Sequence, residues 1–119
     1  LKLIKILLEN KIDSLEKVIN ISSDMSSISK NSIGNYYIYR VTKSALNSIS
    51  KNLSVDLKKL NKNIVVVCIH PGNVKTKMNP GGILDPSICA KQLINFISEN
   101  NKELNGSFID LQSLKKIDW

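Results

Sequence analysis

In "YRVTKSALN" (39–47) a tyrosine and a lysine lie four residues apart at the head of an apolar-periodic run. On a helix that spacing stacks Tyr39 and Lys43 on one face, a single turn apart. A phenol with an ordinary pKa of roughly 10 is a poor acid–base catalyst at neutral pH. A neighbouring ammonium favours the phenolate, so that the pair can pass a proton to a carbonyl oxygen as hydride arrives at carbon. Lysine is frequent here, so the spacing alone is a weak signal, and a wet helix surface is the plainer reading.

Two further groups carry chemistry. Ser23 ends "NISS", and a hydroxyl at the carboxyl end of a strand can hydrogen-bond a reacting oxygen and stabilise its developing charge. Against this, Ser22, Ser23, Ser26 and Ser27 can equally satisfy loop backbone groups. In "PGNVKT" (71–76), Pro71 stiffens the exit from a strand and Gly72 permits backbone conformations other residues resist. Such a loop can present backbone groups and the Thr76 hydroxyl to an amide-bearing ligand. As a bare string it is an ordinary turn.

The elements that must position these residues follow from hydrophobic patterning. "KVINIS" (17–22) and "IVVVCIH" (64–70) are short β-branched apolar runs, and the second lacks polar alternation, as in a strand covered on both faces of a parallel sheet. Between them, the polar loop "SDMSSISKNSIGN" precedes a long helix from about Tyr36 to Leu60. Its expected core stripe is Leu46, Ile49, Leu53, Leu57 and Leu60. A Pro- and Gly-rich loop follows the second strand. A helix then starts with Asp85 at the N-cap and Pro86 at the first helical position. "NGSFIDL" (105–111) reads as a third strand, and Leu1–Glu9 as a mostly buried helix. The order β-α-β-α-β is that of an α/β three-layer segment with a parallel sheet. In open α/β sheets ligands sit beyond the carboxyl ends of the strands, where "SSDMSS" and "HPGNVKT" fall.

Composition narrows the field. At 119 residues the chain is at most one domain, and "LKLIKILLE" at its start reads as the middle of a helix, so the chain looks like part of something longer. That stretch is too short to span a membrane and carries no cleavage signal, so neither a transmembrane helix nor a signal peptide is expected. The net charge of +7 invites nucleic acid, but the lysines are scattered, Arg40 is the one arginine and aromatics are few. Cys68 and Cys89 have no metal-ligand spacing and read as buried reduced thiols of a cytoplasmic protein.

Taken together, "VINISS", "YRVTKSALN", "LSVDL", "HPGNVKT" and the closing "GSFIDL…W" resemble the short-chain dehydrogenase/reductase family, more narrowly its C-signal-like, carbonyl reductase-like members. The resemblance runs through nearly all of the chain. It implies a Rossmann-like fold, with residues 1–119 as the C-terminal catalytic half of a single domain. It implies an NAD(P)-dependent oxidoreductase interconverting a carbonyl and an alcohol by hydride transfer, with NADP or NAD as cofactor, NADP slightly preferred. The implied roles are Tyr39 as acid–base, Lys43 tuning it and holding the nicotinamide ribose, and Ser23 orienting the substrate oxygen. Pro71, Gly72, Val74 and Thr76 would line the nicotinamide carboxamide pocket. His70 takes a structural role. Implied partners are a small-molecule carbonyl or alcohol and a second copy of the chain, docked through helix faces around 1–9 and 36–60. Neither nucleic acid, membrane nor metal is expected.

The chain also departs from the family pattern. Lys77 stands where an acidic residue is common. The Gly-rich dinucleotide turn is missing, "NPGG" following the wrong element, and the family's catalytic asparagine would lie before Leu1. The 119 residues alone are therefore expected to be inactive. The rival reading is a non-catalytic Rossmann-like binding or dimerisation module.

Overall fold

The unbroken apolar run becomes the central strand of a three-stranded parallel sheet. A computed structural model of the chain describes residues 5, 6, 9, 14–60 and 62–119. Its elements are β1 (Lys17–Ile21), α1 (Tyr37–Lys59), β2 (Val65–His70), α2 (Pro86–Ser98) and β3 (Ser107–Asp110), with sheet order β1-β2-β3. Lys17 registers with Val65 and Ile21 with Ile69, while His70 registers with Asp110. All three strands thus end at one edge.

Each face of β2 is covered by a different helix, which explains why the run has no polar alternation. Val65, Val67 and Ile69 pack with Cys89 and Phe96 of α2 and with Ile109. Val66 packs on the other face with Leu53 and Leu57 of α1. Cys68 meets Phe108 and Ile117. Val66, Val67, Cys68 and Ile69 are fully buried, and each large apolar side chain contributes about 1.5–3 kcal/mol by leaving water. The result is the three-layer α/β arrangement expected from the order of elements.

The buried stripe of α1 differs from expectation. Leu53 and Leu57 are buried, but Ile49 is 42% and Leu60 64% exposed. The helix instead turns Asn47, Ser50 and Ser54 inward. The reason is polar pairing at close approach: Asn20 Nδ2 donates to Ser50 Oγ at 2.8 Å, and Ser50 Oγ donates back to Leu46 O at 2.7 Å. Ser54 lies against Gly106, where a Cβ would come within 2.6 Å of Ser54 Oγ and φ is +71°. A residue with a side chain there would be strained twice, by conformation and by contact.

The second helix begins as its sequence dictates. Asp85 Oδ1 accepts from the Ser87 amide at 2.7 Å and Pro86 opens the helix. The Ser87 hydroxyl and amide hold the Asp85 carboxyl below its ordinary range. Of the helix expected over Leu1–Glu9, positions 1–4, 7 and 8 lie outside the described residues, and Ile6 is 44% exposed. No helix among the described residues is long and apolar enough to cross a membrane. No group of three or more His, Cys, Asp or Glu among them could hold a metal ion.

Candidate functional site

The face of α1 that packs on the sheet continues past the sheet's carboxyl edge. Tyr39, Lys43, Asn47, Ser50, Ser54 and Leu57 follow one another three or four residues apart, so they share one helix face. The last four are buried against the sheet. Tyr39 and Lys43, both half-buried, are the part that overhangs. Lys43 Nζ donates to Ile21 O at 2.9 Å, tying the helix to the last residue of β1. The same ammonium stands 5.9 Å from the centroid of the Tyr39 ring. The pair is therefore assembled at the strand ends by the packing that forms the core.

Ser23 lies just beyond β1, where the Ser22 amide donates to Ile69 O at 2.7 Å and prolongs the ladder. It is buried and caps a short 3-10 turn, Asp24–Ser26. Its Oγ accepts from the Met25 amide at 3.2 Å and donates to Asp24 Oδ1 at 3.2 Å. The neighbouring serines satisfy the loop: Ser26 Oγ donates to Ser23 O at 2.5 Å and accepts from Asn47 Nδ2 at 2.6 Å. Ser44 Oγ donates to Ser26 O at 2.8 Å. The turn is thus bound directly to the helix that carries Tyr39 and Lys43.

On its other side the turn meets residues 115–119. The Ile117 amide donates to Phe108 O at 2.8 Å, and Trp119 stacks on Phe108 with centroids 5.7 Å apart. From there Asp118 O accepts from Ser27 Oγ at 2.5 Å and Trp119 O from the Ser29 amide at 3.4 Å. No spacing in the sequence signals this contact.

The loop after β2 holds the other expected residues. Gly72 has φ +95°, the left-handed region that favours glycine. Pro71 O accepts from Gln112 Nε2 at 2.9 Å and from Cys89 Sγ at 3.6 Å. Val74 is half-buried, bridges to Leu84 and packs on the core beneath α2. Thr76 is exposed, and its Oγ1 accepts from the Asn79 amide at 3.1 Å. His70 Nδ1 lies 3.7 Å from Asp24 Oδ1, next to the turn that Ser23 caps. Burial pushes the Cys68 thiol up, opposed by a hydrogen bond with Ser50 and the charge of Lys43, and burial also raises the Cys89 thiol.

Two residues were not legible as part of this site. Gln112 grips the Pro71 turn from beyond β3. Arg40, which the sequence marks only as the one arginine, donates from Nη1 to Met25 O at 2.9 Å and from Nε to Asn35 O at 3.0 Å.

The parallel sheet and flanking helices define the class of Rossmann-like α/β folds, and sequence comparison supplies the family. The profile of the family described as Enoyl-(Acyl carrier protein) reductase matches residues 2–101, and the chain belongs to the short-chain dehydrogenase/reductase family. It is similar to C-signal of Myxococcus xanthus, 33% identical over 107 residues, which are 89% of this chain and 63% of that protein. Among solved structures, it resembles the carbonyl reductase Sniffer of D. melanogaster, with 38% identity and a TM-score of 0.80 over 87% of this chain and 41% of the other. An NADPH-bound carbonyl reductase from chicken fatty liver is 28% identical, with a TM-score of 0.71 over 90% of this chain and 46% of that one. The chain spans 63% of the length of C-signal and less than half of each of these two structures.

Proposed function

We propose that the protein is an NAD(P)-dependent oxidoreductase of the carbonyl reductase type, with these 119 residues as the catalytic half of one Rossmann-like domain. Its substrate is a small carbonyl compound or the corresponding alcohol. The observation that carries the reading is the position of Tyr39 and Lys43. Their helix face overhangs the strand ends, beside a buried serine turn that the same helix holds.

The residues present suit a nicotinamide nucleotide. Lys43 would offer ribose hydroxyls an ammonium, and the turn at Pro71 and Gly72, with Gly72 in the left-handed region, would present backbone groups to a planar amide. Pro71, Val74 and Thr76 complete that side. When bound, the nicotinamide supplies or accepts the hydride. Tyr39 gives its proton to the carbonyl oxygen, and the charge of Lys43 stabilises the phenolate left behind. The Ser23 hydroxyl hydrogen turns from Asp24 Oδ1 to the substrate oxygen, while Oγ keeps its bond from the Met25 amide. NADP is the preferred cofactor in this reading, the protein works as a homodimer, and it resides in the cytoplasm.

The test is an assay of the full-length protein with NADPH and a set of small aldehydes and ketones. Cofactor oxidation matched by alcohol formation is expected, and Ser23→Ala lowers kcat by on the order of 10²-fold. Failure to reduce any carbonyl, or a Ser23→Ala variant with wild-type kcat, overturns the reading. The 119 residues contain no Gly-rich pyrophosphate turn. Calorimetry on this chain by itself is therefore expected to give no NADPH binding at micromolar concentrations, and micromolar affinity would refute the half-domain assignment.

A further inference from the structure

We propose that Arg40 is a positioning residue that fixes the Ser23 turn against the start of the helix carrying Tyr39. The proposal rests on the reading of Ser23 and Tyr39 given above. Arg40 follows Tyr39 directly, so its backbone moves with the proposed acid. Its guanidinium reaches 15 residues back, and Nη1 donates to Met25 O at 2.9 Å. Met25 is also the residue whose amide bonds Ser23 Oγ at 3.2 Å. A single residue, Met25, thus links the Arg40 contact to the proposed substrate-orienting hydroxyl.

The second arm holds the approach to the helix. Nε donates to Asn35 O at 3.0 Å. Gly34, Asn35 and Tyr36 all have positive φ, at 70°, 61° and 54°. Left-handed backbone is costly for residues with a Cβ, and Tyr36 has no side-chain cap to compensate. A strained lead-in persists where its surroundings over-determine it. Arg40 supplies one such restraint and connects it to the serine turn. Ser44 and Asn47 also bind the turn, at Ser26, but neither reaches the lead-in. A planar guanidinium with several donors in fixed geometry can hold two carbonyls at once, whereas an ammonium is a point donor on a flexible stem.

The experiment is made on the full-length protein. Arg40→Ala is expected to lower kcat by about 10-fold or more, since small misplacements of reacting groups are costly, with KM for NADPH within about twofold. Added guanidinium ion is expected to restore part of the lost kcat, and Arg40→Lys to fall between wild type and Arg40→Ala. Independently of activity, hydrogen exchange is followed at the Ser26 and Ser27 amides, which close the turn onto Ser23 O and Asp24 O. Arg40→Ala is expected to speed both by at least about 10-fold while Val67 and Cys68 stay protected. Unchanged exchange at Ser26 and Ser27, or equal acceleration in β2, overturns the proposal, as does Arg40→Ala with wild-type kcat. If the wild-type protein reduces no carbonyl, the functional reading falls, and the exchange measurement alone decides for Arg40.

Discussion

Tyr39→Phe is expected to remove reductase activity from the full-length protein while leaving its fold unchanged. The substitution deletes one hydroxyl from a half-buried side chain at the sheet edge. The ring, and with it the contact to Lys43 Nζ at 5.9 Å, is retained. The hydrogen bond from Thr42 Oγ1 goes to the Tyr39 carbonyl and is kept by the substitution. What is lost is the proton donor. Positioned general acids contribute roughly 10²–10⁴-fold, so kcat should fall by about that factor with KM for NADPH little changed. Thermal unfolding of the variant should match wild type. Wild-type turnover in Tyr39→Phe would overturn Tyr39 as the acid–base, whereas absence of turnover in the wild-type protein would favour the rival reading of a non-catalytic binding or dimerisation module.

The largest effect on stability is expected from Phe108→Ala. Phe108 is 1% exposed, packs with Cys68 and Ile117, and stacks on Trp119 at an interplanar angle of 20°. Truncating a buried phenylalanine removes transfer free energy and leaves a cavity, together worth about 3–5 kcal/mol. In urea unfolding of the full-length protein the midpoint should fall with the slope preserved. The consequence extends to the site. Trp119 loses the ring it rests on, so the grip of Asp118 O on Ser27 and of Trp119 O on Ser29 loosens beside the serine turn. A loss below about 1 kcal/mol would show that this part of the core does not depend on the ring.

Particular residues show how far the sequence carries. The run from Ile64 to Ile69 announced a strand covered on both faces, because a strand with no polar side has nowhere to meet water. Asp85 and Pro86 marked their helix start, because capping is a contact within one turn. The β-α-β-α-β order and the parallel sheet followed. The stripe on α1 was legible at Leu53 and Leu57 but misread at Ile49 and Leu60. Hydrophobicity alone cannot foresee that Asn20 and Gly106 would meet serines across the layer.

For the candidate site the division is sharper. Helical periodicity places Tyr39 and Lys43 on one face whatever the rest of the chain does. The sequence also determined that Ser23 and "HPGNVKT" follow strand ends, since patterning locates those strands. Tertiary structure alone decided what surrounds them. Lys43 is anchored on Ile21 O, the serine turn lies between α1 and residues 115–119, and Gln112 holds Pro71. Arg40 spans from Met25 to Asn35. Apart from the local Arg40–Asn35 bond, these contacts join residues well separated in the chain through register and layering. A hydrogen bond of that kind leaves no period in the sequence: it exists only once the strands are paired and the helix is seated.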